Sequence, residues 1–278
     1  MENARPSILP LTYLFVPGNR PERFAKALAS GADRIIIDLE DAVSPADKPV
    51  ARAALAQWMA STAAVRDRVL VRINDAATPW HAEDLGLIRA LQVACVMLPK
   101  CEAAAQVADV RLGLAHDASV LALIETARGM VALHDIAACP GVARLAFGSL
   151  DYMVDLDLPA GSPALDFAAA QIAIASRAAG IASPVAGVTP ALDAAQVSAD
   201  MAHARALGFG AKMCIHPSQV AAVHAALAPT AEELAWAQRV LTAWNSSGGG
   251  ALQVDGKMVD RPVVLRAERI VAEAAAAR

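Results

Sequence analysis

The strongest constraint in this chain is a rhythm: short apolar runs rich in Val, Ile and Leu alternate with helical stretches from about residue 11 to past residue 215. The runs Leu11–Val16, Arg34–Asp38, Arg68–Asn74, Ala94–Leu98, Val120–Ile124, Ala143–Phe147, Pro184–Val188 and Gly210–Ile215 have strand length. Helical spacing follows each in turn, at 22–30, 47–59, 80–91, 102–112, 127–138, 165–179, 192–207 and 218–227. Strands that are apolar on both faces and joined by helices form parallel sheets. Eight alternations, with no G-x-G-x-x-G after the first run, predict a closed eight-stranded parallel β/α (TIM) barrel over a doubly wound sheet.

The expected barrel domain is 1–245. Residues 246–278 then form a C-terminal helical lid extension: a Ser-Ser-Gly-Gly-Gly hinge, a turn and a last helix from Val263. Such a piece is too small for a core of its own, so it must pack on a barrel face or on a neighbouring subunit. The net charge of −4 gives no electrostatic reason to expect a nucleic acid or an anionic membrane as partner. No uninterrupted apolar run approaches the ~18–20 residues of a membrane span. Pro10 breaks the stretch Ile8–Val16, which reads as a first strand and not as a signal peptide. The four cysteines, Cys95, Cys101, Cys139 and Cys214, show no C-x-x-C spacing, so a reduced cytoplasmic protein is expected.

In such barrels the active site lies at the C-terminal ends of the strands. Reading along that rim gives Arg20, then Asp38, Glu40 and Asp41, then Arg72 and Asn74, Lys100, Glu125, Asp151 and His216. Glu125 and Asp151 stand out because each closes one of two consecutive strands, so both carboxylates are expected to enter one space. Their repulsion is relieved by a hard divalent cation; oxygen donors without a His–Cys cluster favour Mg²⁺, with Mn²⁺ possible. Arg72 ends a strand that is otherwise apolar and suits bidentate binding of a substrate carboxylate; an ion pair with Glu40 or Asp41 is the compatible alternative. Glu40 and Asp41, with Asp38, are placed to accept from metal-bound water, while Asp47 reads as a helix start. His216 reads either as a base or as part of a turn into a helix capped by Ser218. Lys100 as a Schiff-base lysine is unnecessary beside an acidic metal pair.

Seven stretches then carry a resemblance: Leu14-Phe-Val-Pro-Gly-Asn19-Arg, Ile37-Asp-Leu-Glu-Asp-Ala42-Val, Val71-Arg-Ile-Asn74, Ala122-Leu-Ile-Glu-Thr126, Phe147-Gly-Ser-Leu-Asp151, Cys214-Ile-His-Pro-Ser-Gln219 and Asp255-Gly-Lys-Met-Val-Asp260-Arg-Pro262. Together they resemble the citrate lyase β-subunit and malyl-CoA (citramalyl-CoA) lyase family of the HpcH/HpaI aldolases. The resemblance implies a trimeric or hexameric barrel enzyme, a metal-dependent carbon–carbon lyase. It would cleave or form a malyl-, citramalyl- or citryl-CoA thioester, with acetyl-CoA or another acyl-CoA and a 2-keto acid as the other side of the reaction. A citrate lyase β-type subunit acting on an acyl-carrier-protein thioester within a complex, or a malyl-CoA-type thioesterase, are the alternatives. By position, the resemblance implies Glu125 and Asp151 as Mg²⁺ ligands and Arg72 as the carboxylate-binding arginine. Asp260 is implied as an acid/base on a lid reaching a neighbouring subunit. Phe15, Lys26 and the Ile215-His216-Pro217 turn are implied to line the CoA cleft, with Arg20 adding positive charge beside it.

Overall fold

The computed structural model describes residues 9–115, 117–247 and 252–276. Eight parallel strands close into a barrel in chain order: β1 (Thr12–Pro17), β2 (Arg34–Asp38), β3 (Val69–Arg72), β4 (Cys95–Leu98), β5 (Ser119–Ile124), β6 (Val142–Phe147), β7 (Ala182–Ala186) and β8 (Ala211–Cys214). All eight expected strands are present, and β1 pairs with β8, Thr12 opposite Lys212, to complete the ring. The helices on this unit are α1 (Phe24–Ala29), α2 (Lys48–Ser61), α3 (His81–Leu91), α4 (Ala104–Arg111), α5 (Ala127–Val131), α6 (Leu133–Ala138), α7 (Ser149–Asp155), α8 (Ala164–Ala178), α9 (Ala194–Ala206) and α10 (Ser218–Leu227). Among the described residues no helix is long and apolar enough to cross a membrane.

A single apolar cluster takes residues from every strand: Tyr13, Ile36, Leu70, Cys95 and Met97, Leu121 and Leu123, Ala146, Val185, Ala211 and Met213. Only the barrel interior is shared by all eight strands, so these residues mark its inward face, and side chains along a strand alternate with period two. The lumen is thus a packed core and not a channel. At its lower end Arg144, two positions before Ala146, is buried, bonds the Pro10 carbonyl and the Tyr13 hydroxyl at 2.6 and 3.2 Å, and also reaches the Ser183 carbonyl.

The single helix expected over 127–138 is divided at Ala132 into α5 and α6. Thr126 caps α5, its Oγ1 accepting from the Gly129 N–H at 3.1 Å. The run expected to continue as strand to Asp151 stops at Phe147, and α7 follows it. A second compact unit starts at Leu227. It holds α11 (Ala231–Ser246), begun by a Thr230–Glu233 capping box, a hairpin of β9 (Leu252–Val254) and β10 (Lys257–Val259), and α12 (Arg261–Ala276). Ala237 and Val240 of α11 meet Val264, Ala267 and Ile270 of α12 in a core of their own. Sequence pattern placed α11 with the barrel and the extension after it; compactness places α11 with α12. Gly248 to Gly250 of the expected hinge lie outside the described residues.

Candidate active site

The inward parity of the lumen, continued two residues up each strand, names the site. After Ile36 comes Asp38, after Leu70 comes Arg72, after Leu123 comes Glu125 and after Ala146 comes Gly148. Asp38 and Arg72 are also register partners on adjacent strands. Opposite charges side by side and aimed the same way form a fork: Arg72 Nε donates to Asp38 Oδ1 at 2.7 Å and Nη2 to Oδ2 at 2.6 Å. Asp38 is fully buried and also accepts from the Glu40 and Ala42 N–H groups. Burial alone would raise its carboxyl, but the Arg72 guanidinium outweighs that and holds it below the usual range. With its oxygens committed in this way, Asp38 orients Arg72; the expectation that it serves metal-bound water is corrected to that role.

The third guanidinium nitrogen, Nη1, lies 2.8 Å from Glu40 Oε2 and 3.4 Å from Asp41 Oδ2. The ion pair considered as the alternative for Arg72 is therefore present. Below it Phe15 packs on the lumen cluster, and the Arg72 guanidinium lies over its ring at 4.8 Å from the centroid. Glu40 is nearly buried, and burial raises its carboxyl despite the attraction of Arg72 and Lys100. Lys100 Nζ donates to Glu40 Oε1 at 3.0 Å. No lysine in this position is desolvated toward a neutral amine: the ammonium's affinity for its proton is raised, burial being outweighed by Glu40.

Glu125 follows β5 directly and is 2 % exposed, with Oε1 accepting from the Lys100 N–H at 2.7 Å. Burial pushes its carboxyl up to about 8; the Lys100 N–H works against that, and the charges of Glu40 and Asp151 add to it. Asp151 does not end a strand as expected. β6 stops at Phe147, and Asp151 sits in the first turn of α7. It is nevertheless near enough for its charge to act on Glu125. Gly148 and Gly187 permit close approach here: a Cβ on Gly148 would fall 2.6 Å from Glu125 Cβ, and one on Gly187 2.6 Å from Ser149 Oγ. Among the described residues no three Asp, Glu, His or Cys side chains converge on one point. A cation held by Glu125 and Asp151 would take its remaining donors from water and substrate. Five carboxyl groups around two cations, Arg72 and Lys100, make a dication the natural complement.

Other expected residues fall as follows. Asp47 precedes α2 but makes no side-chain cap; its Oδ2 accepts from Asn19 Nδ2 at 3.1 Å and from Ser44 Oγ at 2.9 Å. Arg20 and Lys26 are exposed after β1. His216 Nδ1 accepts from the Ser218 N–H at 3.2 Å, so the imidazole, not Ser218, covers the start of α10. Ile215 and His216 are exposed, and Pro217 completes the turn. Asp260 lies in the second unit, where its Oδ1 accepts from the Val263 N–H at the start of α12.

Two supports escaped sequence reasoning. Lys48, 4 % exposed, donates to the Leu39 and Glu40 carbonyls, both at 2.7 Å, and to Asn74 Oδ1 at 2.6 Å, bracing the loop that carries Glu40. Gln219 donates to the Thr189 and Ala191 carbonyls and accepts from the Ile215 and His216 N–H groups, tying the loops after β7 and β8 together. Lysine at a helix start and glutamine after Pro-Ser both look like surface residues, and only coordinates reveal the buried carbonyls they satisfy.

Comparison with known proteins places this arrangement. The profile of the HpcH/HpaI aldolase/citrate lyase family matches residues 11–217. A second, described as a C–C bond lyase of the TIM-barrel fold, matches residues 171–276. A citrate lyase subunit beta-like protein of Mycobacterium tuberculosis is 39 % identical over 270 residues, 94 % of each chain. A (3S)-malyl-CoA thioesterase of Cereibacter sphaeroides is 31 % identical over 95 % of this chain and 94 % of its own. The crystal structure of protein CitE from M. tuberculosis in complex with magnesium, acetoacetate and coenzyme A superposes with a TM-score of 0.86 at 37 % identity, covering 96 % of this chain and 99 % of that one.

Proposed function

Because the chain belongs to the HpcH/HpaI aldolase/citrate lyase family, a family of carbon–carbon bond lyases, we propose that it is a Mg²⁺-dependent lyase of a malyl-, citramalyl- or citryl-type CoA thioester. Its products in the cleavage direction are then acetyl-CoA, or another acyl-CoA, and a 2-keto acid. The observation that carries this reading is the pair Glu125 and Asp151, linked through Lys100 and Glu40 to Arg72 on the same rim, charges that a purely structural barrel has no need of. The similar CitE structure with magnesium, acetoacetate and coenzyme A supports the same ligand classes.

Glu125 and Asp151 would hold Mg²⁺, and Mn²⁺ suits the same oxygens. When bound, the ion supplies Lewis-acid polarisation of the hydroxyl that becomes the keto group. Arg72, whose guanidinium plane Asp38 fixes through Nε and Nη2, binds the carboxylate of the keto-acid half. In cleavage the hydroxyl gives up its proton to water, the C–C bond breaks with its electron pair left on the thioester carbon, and Asp260 would deliver a proton to that carbon; condensation runs the same steps in reverse. Phe15, Arg20, Lys26 and the Ile215-His216-Pro217 turn line the path of the acyl-CoA or acyl-carrier-protein arm, and a homotrimer or hexamer brings Asp260 to a neighbouring barrel.

The test is to incubate the protein with each thioester and Mg²⁺, with and without EDTA. Metal-dependent release of glyoxylate, pyruvate or oxaloacetate is expected; none from any substrate sinks the reading. The malyl-CoA thioesterase relative favours a second outcome, water attacking the thioester. Product analysis separates the two, since hydrolysis leaves the carbon skeleton whole.

A further inference from the structure

Glu125 and Asp151 come from different parts of the chain, and two hydrogen bonds tie those parts together. The first is main chain to main chain: the Gly148 N–H donates to the Ile124 carbonyl at 2.9 Å. The second comes from a side chain. Asp155 Oδ2 accepts from the Ala127 N–H at 2.7 Å. On one side of this frame Glu125 lies between Ile124 and Ala127; on the other Asp151 lies between Gly148 and Asp155. Both carboxylates are therefore enclosed between the same two ties. Asp155 is the last residue of α7, four positions after Asp151, so the two share a face about 6 Å apart along the helix axis. Other contacts of α7 run to other strands. Tyr152 packs edge-on against Phe147, ring centroids 5.4 Å apart, which fastens the helix to its own strand β6. Ser149 Oγ lies against Gly187 beyond β7. Without Asp155, α7 would keep these holds and pivot at Gly148, leaving Asp151 free to move relative to Glu125. Asp155 itself is exposed, so the tie can be cut without opening the core.

We propose that Asp155 is a positioning residue: by pinning the end of α7 to the turn after Glu125, it fixes the spacing of Glu125 and Asp151, and with it the preference of that pair for Mg²⁺ over the larger Ca²⁺. This rests on the cation site proposed above and adds what sets its size. Asp155 is not itself a ligand. Mg²⁺ needs oxygens at about 2.0–2.1 Å in near-ideal octahedral order, whereas Ca²⁺ accepts about 2.3–2.6 Å in looser geometry. A frame with two ties favours the smaller and more exacting ion. With one tie, that advantage is the first thing lost.

Asp155→Ala removes the tie, while Asp155→Asn removes the charge and keeps an oxygen that can accept from the Ala127 N–H. Binding of MgCl₂ and of CaCl₂ to each metal-free protein is measured by titration calorimetry, beside a thermal melt. In Asp155→Ala, Mg²⁺ affinity is expected to fall by about tenfold or more, with Ca²⁺ affinity within about threefold of wild type. Asp155→Asn is expected to stay within about threefold for both ions. Both metal-free variants are expected to melt within about 4 °C of wild type. Equal loss of both ions in Asp155→Ala overturns the proposal: with a lower melt it marks a merely structural tie, and with the same loss in Asp155→Asn it marks a long-range pull on any dication. An Asp155→Asn variant as weak in Mg²⁺ as Asp155→Ala overturns it too, as does unchanged Mg²⁺ affinity in Asp155→Ala. Wild-type protein that binds no Mg²⁺ overturns the cation site itself, and this proposal with it.

Discussion

At Gly148 a hydrogen in place of a methyl group decides where Glu125 can stand. An added Cβ would lie 2.6 Å from that of Glu125, closer than carbon atoms approach, and Glu125 is walled in by the barrel. Gly148→Ala is expected to displace the carboxylate and lower turnover by roughly a hundredfold, since an error of about 1 Å in a positioned group costs that much. Steady-state kinetics beside a Mg²⁺ titration checks it; normal Mg²⁺ affinity would show that Glu125 had not moved. Glu125→Gln probes the charge instead of the place. The amide oxygen can still accept from the Lys100 N–H, so the fold should hold, while Mg²⁺-dependent turnover falls by roughly a thousandfold or more. Retained Mg²⁺ stabilisation in a thermal melt of this variant would remove Glu125 from the metal site.

Between elements, the ties that matter are few and polar. Gln219 satisfies two carbonyls and two N–H groups from the loops after β7 and β8, and the residue is 1 % exposed. Gln219→Ala leaves those groups unpaired and should cost about 2 kcal/mol or more, read as a lower denaturant midpoint. On the opposite rim, Asp33 accepts from the Leu11 and Thr12 N–H groups and faces His224 of α10. Partial burial raises its carboxyl, but the N–H groups of Leu11 and Thr12 and the His224 ring win, and it is held low. A depressed acid stabilises above its unfolded value and loses that contribution as pH falls through its folded value. Stability should therefore decline below about pH 4, and Asp33→Asn should flatten that decline in acid melts. Much of this architecture was legible beforehand. Asp38 and Arg72 were legible as rim residues, but their fork was not: in runs apolar on both faces Ile36 and Leu70 look like their neighbours, and only the closed barrel shows which parity points inward. The short α7 was not: its exposed Leu150 and Val154 give no amphipathic stripe, so Asp151 read as the end of a strand. Lys48 and Gln219 were hidden for another reason. Their partners are backbone groups, which have no letter in a sequence.

For the whole molecule, the second unit from Leu227 carries Asp260, and its own core of α11 and α12 accounts for why residues beyond the barrel fold at all. If Asp260 serves a neighbouring barrel, mixing Asp260→Asn with Glu125→Ala protein should restore activity in reassembled oligomers, up to roughly a quarter of wild type in a random dimeric pairing of sites. Mixed oligomers that stay inactive would assign Asp260 to its own chain or to no catalytic role. Asp260→Asn alone should slow exchange of acetyl-CoA methyl protons in deuterated water by about a hundred- to ten-thousandfold, with Mg²⁺ affinity intact.

The pairing of Thr12 with Lys212 joins residues from opposite ends of the barrel's chain. During synthesis β1 can dock on β2 almost at once, but its other side has no partner until β8 has left the ribosome. A nascent chain that stops just short of Ala211 therefore exposes two open sheet edges, β1 and β7, each ready to pair with another molecule. Entropy hardly penalises so distant a closure, because each doubling of the loop adds only about 0.6 kcal/mol; the burden is one of waiting. Four residues, Ala211 to Cys214, end it by removing both edges together. Translation speed over the stretch before them, and the holding capacity of chaperones, are then the quantities that decide how much of this protein reaches the ring.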